Sequence, residues 1–74
     1  MKRMPVTSSV LVSIGYDAAS AVLEAEFQSG AVYRYFLVPP RVFRELRGAA
    51  TSGASVGAAF NELVKAAGYR FEEL

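Results

Sequence analysis

Two adjacent prolines, Pro39 and Pro40, divide this chain into halves that obey different periodicities. Neither proline can donate to a β ladder, and the second suits the first turn of a helix. Before them, side chains alternate with a period of two; after them, apolar residues recur at helical spacing. A chain punctuated in this way is expected to build an antiparallel sheet first and then lay helices against it, an α+β arrangement. Its 74 residues leave room for one domain only.

The first strand is expected over Val10 to Tyr16. Val10, Val12, Ile14 and Tyr16 share one face, and Leu11, Ser13 and Gly15 the other. These apolar side chains cannot all point inward. Asp17-Ala18-Ala19-Ser20 reads as a turn, with Asp17 able to bond the backbone ahead of it. Val22 to Phe27 alternates again, Leu23, Ala25 and Phe27 against Glu24 and Glu26. Ala31 to Val38 is the third strand of the meander. The loop between the last two decides which side chains meet. A two-residue Ser29-Gly30 loop would set Arg34 opposite Ala25, whereas a three-residue loop, Gln28-Ser29-Gly30, places glycine in the left-handed position of a G1 bulge. The longer loop pairs Ala25 with Tyr33, Leu23 with Tyr35 and Glu24 with Arg34, so that each face is uniform. That register is expected. Residues 1–9, with Pro5 and Thr7-Ser8-Ser9, read as a flexible lead to a single domain over residues 10–74.

Two short helices should follow. The first runs from Pro40 to Arg47, with Val42, Phe43 and Leu46 inward and Gly48 at its end. Ala49 to Ala54 reads as a mobile loop of small residues. Ser55 is a good N-cap for a second helix from Val56 to Ala67, in which Val56, Phe60, Leu63, Val64 and Ala67 recur at helical spacing. Gly68 stops it, and Tyr69-Arg70-Phe71 forms a short extended C-terminal segment anchored by its two rings.

The chain contains no cysteine and no histidine. Disulfides, thiolate metal sites and histidine general bases are excluded together. The serines have no histidine to activate them. Glu24 and Glu26 read as a solvated strand face, one of them paired with Arg34, rather than as an acid–base couple. Ser52-Gly53-Ala54-Ser55-Val56-Gly57 offers free N–H groups to an anion but lacks the lysine of a phosphate loop, and capping by Ser55 accounts for it. The rings and helices of an 8.0 kDa domain are expected to fill its interior, leaving no pocket of roughly a few hundred cubic ångström. The expectation is a domain without enzymatic activity, metal or cofactor. No apolar run is long enough to span a bilayer. The opening Met1-Lys2-Arg3-Met4-Pro5 lacks the apolar stretch of a secretory signal, so the expected location is cytoplasmic.

Net charge is only +1. Between residues 34 and 65, however, Arg34, Arg41, Arg44, Arg47 and Lys65 stand against only Glu45 and Glu62. Arg41, Arg44 and Arg47 recur every third residue, a spacing that suits either bidentate phosphate contacts or an ordinary solvated helix face. Tyr33 and Tyr35 are a stacking platform for unpaired bases if exposed, and core anchors if buried. The three-residue loop favours burial.

Taken together, Ser13-Ile14-Gly15-Tyr16-Asp17, Leu23-x-Ala25-x-Phe27-x-x-Gly30 and Val32-Tyr33-Arg34-Tyr35-Phe36-x-Val38-Pro39-Pro40 resemble the KTSC domain, a family marked by a Y-x-Y motif and also found at the C-terminus of some lysyl-tRNA synthetases. Ser55-x-Gly57-x-x-Phe60-Asn61-x-x-Val64-Lys65 and Tyr69-x-Phe71 are similar to its closing stretch. The resemblance covers roughly residues 9–74. It implies a small domain to which no catalysis is attached, with Tyr33, Tyr35, Pro40, Ser55, Gly57, Phe60 and Asn61 in structural roles. Its occurrence beside a tRNA-charging enzyme suggests proximity to RNA.

Two partner classes follow. RNA would be held through phosphates by Arg34, Arg41, Arg44, Arg47 and Lys65. A protein, or a second copy of the chain, would dock on an apolar patch around Leu11, Val32 and Phe36, on the sheet face away from the helices.

Overall fold

The computed structural model describes all 74 residues. It is an α+β domain whose sheet has five strands rather than three, antiparallel neighbours in sequence order. They are β1 (Arg3–Pro5), β2 (Leu11–Asp17), β3 (Val22–Phe27), β4 (Val32–Tyr35) and β5 (Phe71–Glu73). The helices are α1 (Pro40–Ser52) and α2 (Val56–Phe60), and α2 continues into a π-helical turn over Asn61–Lys65.

The central register is the one expected from the three-residue loop. Leu23 pairs with Tyr35, Glu24 with Arg34, and Ala25 with Tyr33. Gly30 sits at φ +94°, its N–H donating to the Phe27 carbonyl at 2.9 Å, and the Phe27 N–H donates to the Ala31 carbonyl at 2.9 Å.

The sheet gains a strand at each edge: the N-terminal one is too short to display alternation, and the C-terminal segment is extended as expected but pairs as Phe71–Glu73 rather than standing apart from the sheet. Residues 1–9 are not a free lead: Arg3, Met4 and Pro5 pair with Gly15, Ile14 and Ser13. At the other edge Phe71, Glu72 and Glu73 pair with Tyr35, Arg34 and Tyr33.

A bulge in β2 resolves the conflict among its apolar residues. Leu11 pairs with Phe27 but Ser13 pairs with Glu26, so Val12 is an extra residue. Leu11 and Ile14, three apart, thereby reach the same face, and both are fully buried. The apolar patch expected around Leu11, Val32 and Phe36 is therefore not formed. Leu11 belongs to the core, and the guanidinium of Arg70 lies 5.1 Å from the ring centre of Phe36.

The helices cover one face of the sheet. Leu11, Ile14, Leu23, Ala25 and Tyr35 from the strands meet Val42 and Leu46 of α1 and Val56, Phe60 and Val64 of the second helical segment. The first helix does not end at Gly48. It continues to Ser52 and stops at Gly53, whose φ is +81°. Ala49 and Ala50 are half-buried against the core, and alanine is the strongest helix former. That gain offsets a glycine in the helix interior, which costs about 1 kcal/mol. The small residues read as a loop are thus mostly helix. Ser55 caps α2 as expected, its Oγ accepting from the Ala58 N–H at 3.1 Å.

Candidate functional site

The two faces of the sheet carry different chemistry. On the outer face Glu24 is only 6 % exposed although no helix covers it. Arg3 and Arg34 flank it, with N···O distances of 3.1 and 2.9 Å to its two oxygens. Beside it Ser13 donates to Glu26 at 2.9 Å. Glu24 and Glu26 are thereby engaged within the sheet. Arg34, expected among phosphate ligands, lies on this face, bound to Glu24.

On the helix side are two grooves. The first, about 390 Å³, lies between β1 and α1. Lys2, Arg3 and Arg47 stand around it, with Tyr16 and Phe43 and no carboxylate. Tyr16 and Phe43 stack with ring centres 5.3 Å apart and planes 13° apart. The Arg47 guanidinium lies 5.9 Å from the Phe43 centroid. The Tyr16 hydroxyl donates to the Val38 carbonyl, which fixes the stack to the loop before α1. Arg44, one turn before Arg47, is exposed and has no acidic partner, whereas Arg41 pairs with Glu45 at 3.7 Å. Such an exposed pair contributes little to stability. The sequence pattern pointed to Arg44 and Arg47. It could not point to Lys2, which comes to the groove beside Arg47 only because β1 forms.

The second groove, about 610 Å³, overturns the expectation that the interior leaves no such space. It opens between β3–β4–β5 and the π turn. Phe27, Tyr33, Tyr35, Tyr69 and Phe71 supply its rings, and Lys65 its only charge. Tyr33 and Tyr35 stack on each other at 6.4 Å, and Phe71 tilts against both at 5.7 Å. Tyr35 is buried as expected. Tyr33 is half-buried, with its hydroxyl donating to Glu73 at 3.3 Å, and Phe71 is 58 % exposed rather than anchored in the core. The space exists because the chain between the π turn and β5 leaves these rings uncovered on one side.

The π turn also places Lys65. Lys65, the last residue of that turn, lines the groove. Its Nζ lies 5.3 Å from the centre of the Phe27 ring. The five basic residues singled out in sequence therefore do not share one face. Arg34 is on the outer sheet, Arg41, Arg44 and Arg47 are on α1, and Lys65 is on the aromatic groove.

The remaining motif residues have identifiable positions. Pro40 is the first residue of α1, Ser55 caps α2, and Phe60 is the largest fully buried side chain. Gly57 faces Ser8 and Val10; a methyl group there would lie 3.5 Å from the Ser8 Oγ, an ordinary contact. Asn61 opens the π turn, its carbonyl accepting from the Ala66 N–H at 2.9 Å while its side chain is exposed. No three acidic side chains converge where they could hold a metal ion, and no helix is long and apolar enough to cross a membrane.

Burial raises Tyr35 above the ordinary tyrosine value, with Tyr33 adding to the effect. Tyr16 is raised by burial and then by the neighbouring charges of Asp17 and Tyr69. A raised folded-state value means that the native state holds its protons more tightly. The associated stability is complete below the unfolded tyrosine value, about pH 10, and is lost as pH rises through the folded values. The urea midpoint is accordingly expected to be level up to about pH 9 and to fall above pH 10. Absorbance at the phenolate band, followed in parallel, should show late ionisation lost in Tyr16→Phe and Tyr35→Phe.

The KTSC domain family matches residues 7–69. An uncharacterised protein of Stutzerimonas stutzeri is 46% identical over 71 residues, covering 96% of this chain and 94% of its own length. A lysine–tRNA ligase of Nostoc punctiforme is 38% identical over 66 residues, or 89% of this chain but 11% of the ligase. The crystal structure of a KTSC domain protein from Yersinia pestis superimposes with a TM-score of 0.85 at 32% identity, over 99% of this chain and 96% of that one. The match in sequence, in element order and over nearly the full length of both chains places this chain in the KTSC domain family.

Proposed function

We propose that this domain is a non-catalytic accessory module that binds RNA, with phosphates held by Lys2 and Arg47 at the α1–β1 groove and by Arg44 on the exposed side of α1. The observation that carries this reading is charge segregation in a nearly neutral chain. Lys2 and Arg47 stand around one groove with no carboxylate in its lining, its third basic residue Arg3 is paired with Glu24, and Arg44 and Arg47, both exposed on α1, have no acidic partner. Arginine forks suit phosphate oxygens, and the exposed guanidinium of Arg47 is held in place by the Phe43 ring. The relationship to part of a tRNA ligase agrees with an RNA ligand. The chain has neither histidine nor cysteine, and no carboxylate is among the lining residues of either groove, which supports a binding role over a catalytic one.

Titration of a labelled single-stranded RNA at several salt concentrations tests the reading. Affinity should fall linearly with the logarithm of salt, and Arg44→Ala/Arg47→Ala should weaken binding and flatten the slope by about 1.4, two phosphate contacts at roughly 0.7 each. Absence of binding at low salt, or an unchanged slope in the double variant, refutes it.

A protein partner is the second reading, and Leu37 favours it. This side chain is 81 % exposed and its backbone is held at φ +57°, a conformation that L-residues avoid. Failure of the RNA titration together with a concentration-dependent sedimentation coefficient that Leu37→Asn abolishes would select that alternative.

A further inference from the structure

We infer that the aromatic groove beside the π turn is a second binding site, for a single unpaired nucleotide, its base against Tyr33 and Phe71 and its phosphate at Lys65. This deepens the RNA reading, yet stands on different residues from the α1–β1 groove.

The shape and chemistry of the groove select the ligand. About 610 Å³ lies in the range of small-ligand sites, and partly exposed flat rings line it. Base–aromatic stacking tolerates any base because each has a π face. Ser9 and Ser29 at the rim add hydroxyls that can meet base or sugar edges. Lys65, the one charged lining residue, favours an anionic group at its end of the groove. Glu73, bonded to the Tyr33 hydroxyl, would repel a phosphate at the β5 end. The ligand is thus oriented, with its phosphate toward Lys65 and Phe27 and its base toward Tyr33 and Phe71.

The same residues argue against the other occupants of an open sheet edge. Arg34 and Glu72 are the directly hydrogen-bonded pair across β4 and β5, so the backbone groups of Phe71 and Glu73 point outward. A second copy pairing edge to edge would bring Glu72 and Glu73 of both chains together, four carboxylates in one short ribbon. Charged edges of this kind resist strand addition.

Mononucleotides test the site without depending on the α1–β1 groove, because they are too small to bridge the two. In an NMR titration, AMP is expected to shift the ring resonances of Tyr33, Tyr69 and Phe71. Adenosine should shift the same signals with several-fold weaker affinity, and ribose 5-phosphate should leave them unmoved. Phe71→Ala, a change at a solvent-exposed edge, should weaken AMP binding about tenfold, the scale of one stacked base. Lys65→Gln should remove the advantage of AMP over adenosine. Unmoved ring signals at millimolar AMP, equal shifts from ribose 5-phosphate, or tighter binding by N-acetylphenylalanine (which would mark a peptide site) each overturn the inference. If AMP fails while single-stranded RNA still binds with a salt slope sensitive to Arg44 and Arg47, this site is refuted and the RNA reading stands. If AMP binds while RNA does not, the reverse holds.

Discussion

Replacing Phe60 by alanine is expected to remove about a quarter or more of the stability of the domain. Phe60 is 1 % exposed and is the largest fully buried side chain. Its ring makes edge-to-face contacts with Phe27 and Tyr35, both at 5.6 Å between centres. It joins the second helical segment to β3 and β4. Truncating a buried phenylalanine costs about 3–5 kcal/mol, the lost transfer energy plus the cavity left behind. A domain of this length has a total of only roughly 4–11 kcal/mol, at about 0.05–0.15 kcal/mol per residue. Urea unfolding followed by circular dichroism should therefore show the midpoint reduced by about a quarter or more. Phe60→Leu removes less apolar volume and should lose less than the alanine variant, while still giving up both ring contacts. If the alanine variant kept the wild-type midpoint, the ring cluster around Phe60 would not be the centre of the core.

Gly15→Ala is the second large effect, and its cause is steric. Gly15 pairs with Arg3 across β1 and β2. A methyl group at Gly15 would stand 2.8 Å from the Arg3 Cγ and 2.8 Å from the Lys2 carbonyl oxygen, and 3.2 Å from the Arg3 Cα. Side-chain rotation can move the first atom, but the backbone atoms move only if β1 moves. The stem of Arg3 lies in the space that glycine leaves, and from there its guanidinium reaches Glu24. Alanine is expected to cost about 1–3 kcal/mol, the range for overpacked sites. The loss should be local: the Val6 N–H, which donates to the Val12 carbonyl at 3.0 Å, should exchange with solvent much faster. Gly30→Ala is the control. Its site is open, and only its φ of +94° is at issue. It should lose about 1–2 kcal/mol of backbone strain while leaving exchange in β1 unchanged. Because β1 brings Lys2 to the α1–β1 groove, Gly15→Ala should also weaken RNA binding, whereas Gly30→Ala should not.

Much of the sheet and core was legible in the letters because the forces that set them are local. The step from alternation to helical spacing at Pro39-Pro40 marks the true boundary between β4 and α1. The Gln28-Ser29-Gly30 loop sets the register of Leu23, Glu24 and Ala25 against Tyr35, Arg34 and Tyr33, because turn geometry propagates along a hairpin with a period of two. Phe60, Val64, Val42 and Leu46 were readable as core from their spacing alone. The candidate sites were less legible. Arg44 and Arg47 could be named from composition, and Tyr33 and Tyr35 from their motif, but nothing short-range showed which of them would meet a groove.

What the tertiary structure alone decided are the features made by residues distant in sequence. The edge strands are three residues each, and their pairing energy exists only once β2 and β4 are in place. The bulge at Val12 trades one strand position for burial of both Leu11 and Ile14, a choice visible only when the partner strand is present. The helical state of Ala49 to Ser52 depends on a core for the alanines to rest against. The basic groove needs β1 beside α1, and the aromatic groove needs β5 beside the π turn. Local propensity acts over a few residues, whereas a binding surface is assembled from segments up to some sixty residues apart, such as Ser9 and Phe71. The sequence thus determined the hairpin, the helix starts and the core, and the packing of the two chain ends against them decided where a ligand can sit.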